Sequence, residues 1–274
     1  MLKKYFLKFY NLFLLRTDKK TFAFLFNIRN FIGNKSSRVR WLGDFFEVTD
    51  NRLPNFKYII RHQTQCNEAY TAGIIERATN LSKVFFLDRI DFKEGDVVMD
   101  CGANVGDLKI WFTMNNINIT YIGFEPSPIE FQALKENVYP SEVHNIGLWK
   151  TEESLDFYIN SQLADSSFIT PINFYETIRI NALPLERFVN QDVKLLKLDA
   201  EGGEPEVILG LLNKIKHIEY ISADLDFERG IHKSSTLAPV INLLLDRGFE
   251  IIDFSNNRIC VLFRNKTFSS SKNS

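Results

Sequence analysis

From residue 95 onward, short apolar runs alternate with segments of helical period, the pattern of βαβ units around a parallel sheet. The runs "VVMDC" (97–101), "TYIGFE" (120–125), "EVHNIGL" (142–148), "VKLLKLD" (193–199) and "IEYISADLD" (218–226) predict strands. Most are continuously apolar, as a sheet covered on both faces requires. Helices are expected between them at "DLKIWFTM", "SPIEFQALKENV", "GEPEVILGLLNKI" and "TLAPVINLLLDRGF". Ser127, Pro128 and Glu130 together resemble a capping box, and Gly248 reads as a helix stop. "FEIIDF", the turn "SNN" and "RICVLF" close the chain as a hairpin, so an antiparallel strand ends an otherwise parallel sheet. Residues 151–192 read as short strands and turns forming an insertion or rim. Residues 1–90 lack clear sheet alternation and read as mostly helical or irregular. The tail "TFSSSKNS" is expected to be disordered.

The 274 residues, 45% hydrophobic, suffice for one large α/β domain with an appendage or for two small domains. A net charge of −1 conceals an uneven distribution: residues 1–40 hold ten lysines and arginines against Asp18 alone. Cys66, Cys101 and Cys260 form no CxxC pair, which argues against a disulfide framework or structural zinc site and fits a cytoplasmic setting. The first twenty residues superficially resemble a signal peptide. Lys8 and Asn11 interrupt the apolar run, however, no cleavage pattern follows, and the run is too short to span a bilayer. Phe6, Phe9 and Phe13 recur at helical spacing opposite Lys4, Lys8 and Asn11, giving a basic, aromatic amphipathic helix. Two readings stand for it: packing on the core or in a dimer contact, or peripheral membrane contact through residues 1–20. No nucleic-acid-binding motif accompanies the charge.

Candidate chemistry centres on "DCGANVG". Gly102 and Gly106 follow the first sheet strand, where open α/β sheets bind ligands. The spacing G-x-x-x-G is not the dinucleotide fingerprint G-x-G-x-x-G, which weakens an NAD(P)-dependent oxidoreductase reading. Asp100 before the loop and Asp107 after it disfavour phosphate and favour a cationic ligand such as S-adenosylmethionine. Glu125, ending the second strand before Pro126, is placed to accept both ribose hydroxyls of an adenosine.

The blocks "VVMDCGANVGDLKIWF", "YIGFEPSPIEFQALKENV", "VHNIGLW" and "LLKLDAEGGEPEVILG", in this order, resemble the FkbM family of S-adenosylmethionine-dependent methyltransferases. The most specific is "KLDAEGGEPEVILG", similar to that family's lysine-hydrophobic-aspartate-x-glutamate-glycine signature. The resemblance implies a Rossmann-like class I methyltransferase fold, with a seven-stranded, mostly parallel sheet whose last strand is antiparallel. A mainly helical N-terminal extension (1–90) would precede a methyltransferase domain (91–265), with 266–274 as tail. Cofactor contacts are implied at Asp100, Gly102, Ala103, Asn104, Gly106, Glu125 and Pro126, with Asn145 and Gly147 near the adenine. The implied activity is O-methylation of a hydroxyl on a sugar, glycan or related natural product. A non-catalytic adaptor on the same fold is the competing class.

Methyl transfer to a hydroxyl requires a group that takes its proton. Asp199 is the first candidate base and Glu201 the second. Glu201 as a cap for the helix near Gly203 is the structural alternative. Asp224, Asp226, Glu228 and Arg229, after the fifth strand, are candidate substrate contacts. The clustered acids leave a divalent metal open, and His144 and His232 are further candidate bases.

Overall fold

The computed structural model describes residues 10–11, 13–160, 166–255 and 258–269. Helix α1 (Lys19–Ile32) leads into an antiparallel meander of β1 (Ser37–Trp41), β2 (Phe46–Asp50) and β3 (Leu53–Ile60). Helices α2 (Gln63–Ala69) and α3 (Ile74–Val84) follow. The α/β part then runs β4 (Val97–Cys101), α4 (Leu108–Met114), β5 (Thr120–Phe124), α5 (Pro128–Asn137), β6 (Glu142–His144), β7 (Gly147–Leu148), β8 (Glu153–Ile159) and β9 (Glu176–Leu183). It ends with β10 (Val193–Leu198), α6 (Glu204–Leu209), β11 (Ile218–Asp224), α7 (Leu237–Asp246), β12 (Phe249–Phe254) and β13 (Cys260–Asn265).

Seven strands form one sheet in the order β12-β13-β11-β10-β4-β5-β6. The pairings from β11 through β6 are parallel, and β13 runs antiparallel to both its neighbours. This is the doubly wound Rossmann-like order, β6-β5-β4-β10-β11-β12 in mirror listing, with the last strand inserted between the fifth and sixth. The expected fold is therefore the observed one. The antiparallel strand lies inside the sheet, however, and β12 forms its edge. Every residue of β4 is buried, and β10 and β11 are nearly so, which explains their unbroken apolar runs.

Residues 142–148 do not form one strand. The chain breaks after β6, where the Asn145 side-chain amide donates to the Glu125 and Pro126 carbonyls at 2.8 and 3.0 Å. It re-enters as β7 of a separate sheet in the order β7-β9-β8, the expected rim. The capping box also takes another form. Pro128 opens α5 as expected, but the Ser127 hydroxyl donates to the Glu130 carboxylate and caps no helix N–H.

The N-terminal extension is mainly helical but also contains the β1–β3 meander, which the sequence reading did not identify. Its strands are short, and the core face of β1 and β2 includes the polar Ser37 and Asp50 beside Val39, Phe46 and Val48, so the hydrophobic alternation is masked. Of the expected amphipathic segment, residues 1–9 and 12 lie outside the described residues, as do 270–274 of the tail. Phe22, Phe26, Phe46 and Tyr58 share one core with Val105, Ile110 and Ala133, so the extension packs on the helices flanking the glycine loop. Tyr58 donates to the Val105 carbonyl at 2.9 Å, and the Asn137 side chain bonds both Ile59 backbone groups at 2.8 and 2.9 Å.

Buried Asp50 ties this extension together. It accepts from the Ile74 N–H that opens α3, from Ser36, and from Arg52 at 2.7–3.0 Å. Burial raises its pKa, but the Arg52 and Ser36 hydrogen bonds outweigh that and hold it at about 2. Because the folded value is depressed, Asp50 contributes stability above its unfolded pKa of 3.8, and that contribution fades as pH falls toward about 2. Asp50→Ala is expected to cost about 2–3 kcal/mol at neutral pH, the scale of losing hydrogen bonds to a charged group. Urea denaturation of both proteins across that acid range should show the difference narrowing; a pH-independent difference would rule out this account.

Candidate functional site

The strand order reverses between β4 and β10, and at their carboxyl ends a cleft of about 400 Å³ opens. Its floor is the turn after β4. Gly102 has φ +71°, and a Cβ there would lie 1.8 Å from the Asp199 carbonyl oxygen, so the two chain segments touch backbone to backbone. Asn104 also takes a left-handed φ, +51°. The Gly102 and Ala103 N–H groups both donate to the Phe124 carbonyl, at 3.1 and 2.9 Å.

Of the residues expected to contact the cofactor, Asp100, Gly102, Ala103, Asn104, Glu125 and Pro126 line the cleft. Gly106 is not among the lining residues: a Cβ there would strike Val138 and Leu134 at 2.4 and 3.0 Å, so this glycine admits α5. Asn145 and Gly147 also stand behind the wall. Asn145 ties down the Glu125–Pro126 segment, and Gly147 makes room for the Phe168 ring, while Ile146 between them lines the cleft.

Glu125 is buried at the end of β5, and each of its carboxylate oxygens accepts one backbone N–H. Oε2 accepts from Asn104 and Oε1 from Ser127, both at 2.8 Å. Burial, with Glu130 nearby, pushes its pKa up to about 8. The two N–H groups fix the carboxylate plane and leave a lone pair on each oxygen for a ligand.

Under the loop lies Lys197, to which the motif "KLDAEGG" by itself assigns no role. Its buried ammonium donates to the Gly102 carbonyl at 2.7 Å and to the Cys101 carbonyl at 3.2 Å. It stands 3.1 Å from Asp100 and 3.8 Å from Asp199. Burial would lower its pKa, but the two carboxylates raise it, so it remains a cation. Asp100 also accepts from the Tyr121 hydroxyl at 2.7 Å. In the sequence this arrangement shows as a lysine inside the apolar run "KLLKLD" and as the first residue of the family-like "KLDAEGG" signature.

Asp199 and Glu201 both line the cleft. Asp199 lies between Lys197 and Arg258, the latter at 3.4 Å, and its buried Oδ1 has no hydrogen-bond partner among the described residues. Glu201 adopts φ +49°, and its carbonyl accepts from Ser167 at 2.7 Å. The acid that caps this turn is Glu204. It accepts from the Ala200 and Gly202 N–H groups at 2.9 and 3.1 Å and from Thr236, and burial lifts its pKa to about 7. Glu204 thus ties down the turn that precedes α6, whose N-cap is Gly203.

None of the four candidate substrate residues lines the cleft. Arg229 forms a two-pronged ion pair with Glu206 at 2.7 and 2.8 Å and donates to the Gly202 carbonyl, clamping the turn after β10 from behind. Asp226 accepts its neighbour's N–H from Phe227. Asp224 and Glu228 surround Arg258, which does reach the cleft. Burial and the neighbouring acids push Asp224 to about 6 and Glu228 to about 8. Asp199, Asp224 and Glu228 bring oxygens within 4.8 Å of one another, a donor set suited to a hard cation. The Arg258 guanidinium lies among these three acids, paired with Asp224, 3.4 Å from Asp199 and 3.9 Å from Glu228, and a divalent ion would have to displace it. His144 stacks on Phe124 with its ring centroid 5.2 Å away, and His232 lies exposed on a turn, so neither histidine faces the cleft.

The N-terminal extension supplies the opposite wall. Gln65 donates from Nε2 to Asn104 Oδ1 at 2.9 Å, which leaves its buried Oε1 without a partner among the described residues. Arg77 and Tyr70 bind Asp107, so that acid serves the contact with the extension. Nothing in the spacing of Gln65, Arg77 or Arg258 announced these positions.

A family model described as "Methyltransferase FkbM domain" matches residues 100–251, more than half of the chain. The chain is similar to "31-O-demethyl-FK506 methyltransferase FkbM" of Streptomyces tacrolimicus, 35% identical over 63 residues, covering 21% of this chain and 24% of that protein. It is also similar to "Methyltransferase 1" of Beauveria bassiana, 25% identical over 167 residues, covering 48% of this chain and 66% of that one. The chain therefore matches less than two thirds of the length of either relative. Among solved structures, Methyltransferase FkbM from Methylobacillus flagellatus KT aligns with TM-score 0.48 at 16% identity, over 74% of this chain and 53% of that one. A SAM dependent methyltransferase from Aquifex aeolicus aligns with TM-score 0.40 at 13% identity, over 70% and 95%. Matched from the end of β4 into β12, the segment that builds the glycine loop, Glu125 and the turn after β10, the chain belongs to the methyltransferase FkbM family.

Proposed function

We propose that the protein is an S-adenosylmethionine-dependent O-methyltransferase acting on a hydroxyl of a sugar, glycan or related natural product. The observation that carries this reading is Glu125, held by two backbone N–H groups at the end of β5 beside a turn stripped of side chains at Gly102. The cleft fits the donor. Glu125 would accept the two ribose hydroxyls, and the Gly102–Asn104 turn would lie along the chain joining sulfur to the amino acid. Gln65 Oε1 and Asp199 Oδ1 are buried acceptors suited to its ammonium group.

When bound, the donor supplies a methyl group made electrophilic by its sulfonium. This chain's residues hold the acceptor hydroxyl in line and remove its proton. Asp199, set between the Lys197 ammonium and the Arg258 guanidinium, is placed to orient charge. Glu201 at the cleft is then the carboxylate that takes the proton. Trp149 and Phe168 give the cleft an aromatic wall against which a sugar ring can pack.

Isothermal titration with S-adenosylmethionine tests the donor. Glu125→Ala is expected to weaken binding about ten- to a hundredfold, the scale of losing hydrogen bonds to a charged acceptor. Since ribose hydroxyls donate to the ionised form and burial holds Glu125 near pKa 8, wild-type affinity should rise between about pH 6.5 and about pH 9. That slope should vanish in the variant. A wild-type chain indifferent to millimolar donor, or a variant that binds as tightly, defeats the reading. Transfer of labelled methyl to a glycan acceptor, reduced in Glu201→Gln, tests the chemistry.

A further inference from the structure

Helix α1 is apolar on two faces. One face, Phe22, Ala23, Phe26 and Asn30, is buried against the rest of the extension. The other carries Phe24, Ile28, Phe31 and Ile32 at spacings of four, three and one, a single row along the helix. That row faces solvent: Phe24 is 65%, Phe31 76% and Ile32 79% exposed. Contiguous apolar groups on an exposed helix face mark a surface that meets something else.

The charge around the row indicates its partner. Lys20 begins the same row one turn before Phe24, and Arg16 and Lys35 lie exposed at the two ends of the helix. Asp18 is the one acid between residues 10 and 43, and its carboxylate is engaged by the Lys20 and Thr21 N–H groups as the helix N-cap. A second copy of this face would bring two basic surfaces together, which opposes self-association. Aromatic and aliphatic side chains flanked by lysine and arginine match the interface of a bilayer containing anionic lipid. We propose that the exposed face of α1 docks the protein on an anionic membrane surface, with Phe24, Phe31 and Ile32 entering the acyl boundary and Lys20 and Lys35 meeting the headgroups.

The test is co-sedimentation of the full chain with vesicles of phosphatidylcholine alone or mixed with phosphatidylglycerol. The wild type is expected to pellet with the mixed vesicles and to be released by salt. Lys20→Glu/Lys35→Glu should lower partitioning by at least about fivefold per residue, the equivalent of about 1 kcal/mol for each basic group near the surface. Phe24→Ser/Phe31→Ser/Ile32→Ser should stay in the supernatant while keeping the wild-type melting temperature and donor affinity. The proposal is overturned if the wild type ignores both vesicles or binds them equally. It is also overturned if the triple serine variant pellets as the wild type does, which would move the contact to another segment such as residues 1–9. Concentration-dependent dimerisation by analytical ultracentrifugation, abolished by the serines, would assign the face to a second copy instead.

Discussion

Gly102→Ala is expected to abolish donor binding and to lower stability more than any other single methyl group added to the loop. A left-handed φ costs a non-glycine residue about 1–2 kcal/mol by itself, and Gly102 sits at +71°. The larger cost is contact. The new carbon would lie 1.8 Å from the Asp199 carbonyl oxygen and 3.0 Å from its carbon, backbone atoms held by the β4–β10 pairing, so no rotamer change relieves it. Either the turn after β4 or the turn after β10 must move, and both line the cleft. Gly43→Ala serves as the control: its φ is +103° and nothing lies within 4 Å of the added carbon, so it carries the strain without the clash. Thermal melting together with isothermal titration should separate the two, with a small melting shift and intact binding for Gly43→Ala. Normal donor affinity in Gly102→Ala would show that the two backbones do not meet as described.

The second large effect is expected at Lys197. Replacing it with methionine keeps the volume but leaves Asp100 buried without its counter-charge, and breaking a buried pair typically costs about 3–5 kcal/mol. Burial already pushes the Asp100 pKa upward, with Lys197 the main opposing influence. Without that cation the folded-state pKa rises further above the unfolded value of 3.8, so the variant should lose stability as pH rises and regain it in acid, where Asp100 is neutral. Denaturation by urea at mildly acidic and at neutral pH measures this. Lys197→Met/Asp100→Asn should recover much of the loss, because the unpaired charge is then gone. A variant as stable as the wild type, or one the second substitution does not rescue, would show that Lys197 acts only as a donor to the Gly102 and Cys101 carbonyls.

Much of the fold could be read from the sequence because its signals are local. β4, β10 and β11 are buried on both faces and appear as unbroken apolar runs, and the β12–β13 hairpin is enforced by a connection too short for a crossover. The β1–β3 meander was hidden because the polar Ser37 and Asp50 occupy core-facing positions, Asp50 held there by Ser36, Arg52 and the Ile74 N–H, which a hydrophobic pattern cannot anticipate. The run 142–148 was divided by Asn145, whose effect depends on two carbonyls about twenty residues earlier in the chain.

Within the site, Gly102, Asn104 and Glu125 were legible because turn chemistry and strand-end position act over a few residues. Glycines that look alike in sequence turned out to serve different ends: Gly102 meets the Asp199 backbone, Gly106 admits α5 and Gly147 admits Phe168. Arg229 looked like a substrate contact beside two acids, yet Glu206 on the adjacent helix claims it. The sequence by itself determined, to within a residue, where β4, β5 and β10 end, where the chain must turn without side chains and that an acid closes β5, since each of these is set by neighbours along the chain. Only the tertiary structure decided that Lys197, Arg258 and Gln65 converge on the cleft, because a charged or amide group buried among distant segments takes its role from whichever partners packing brings within hydrogen-bond reach.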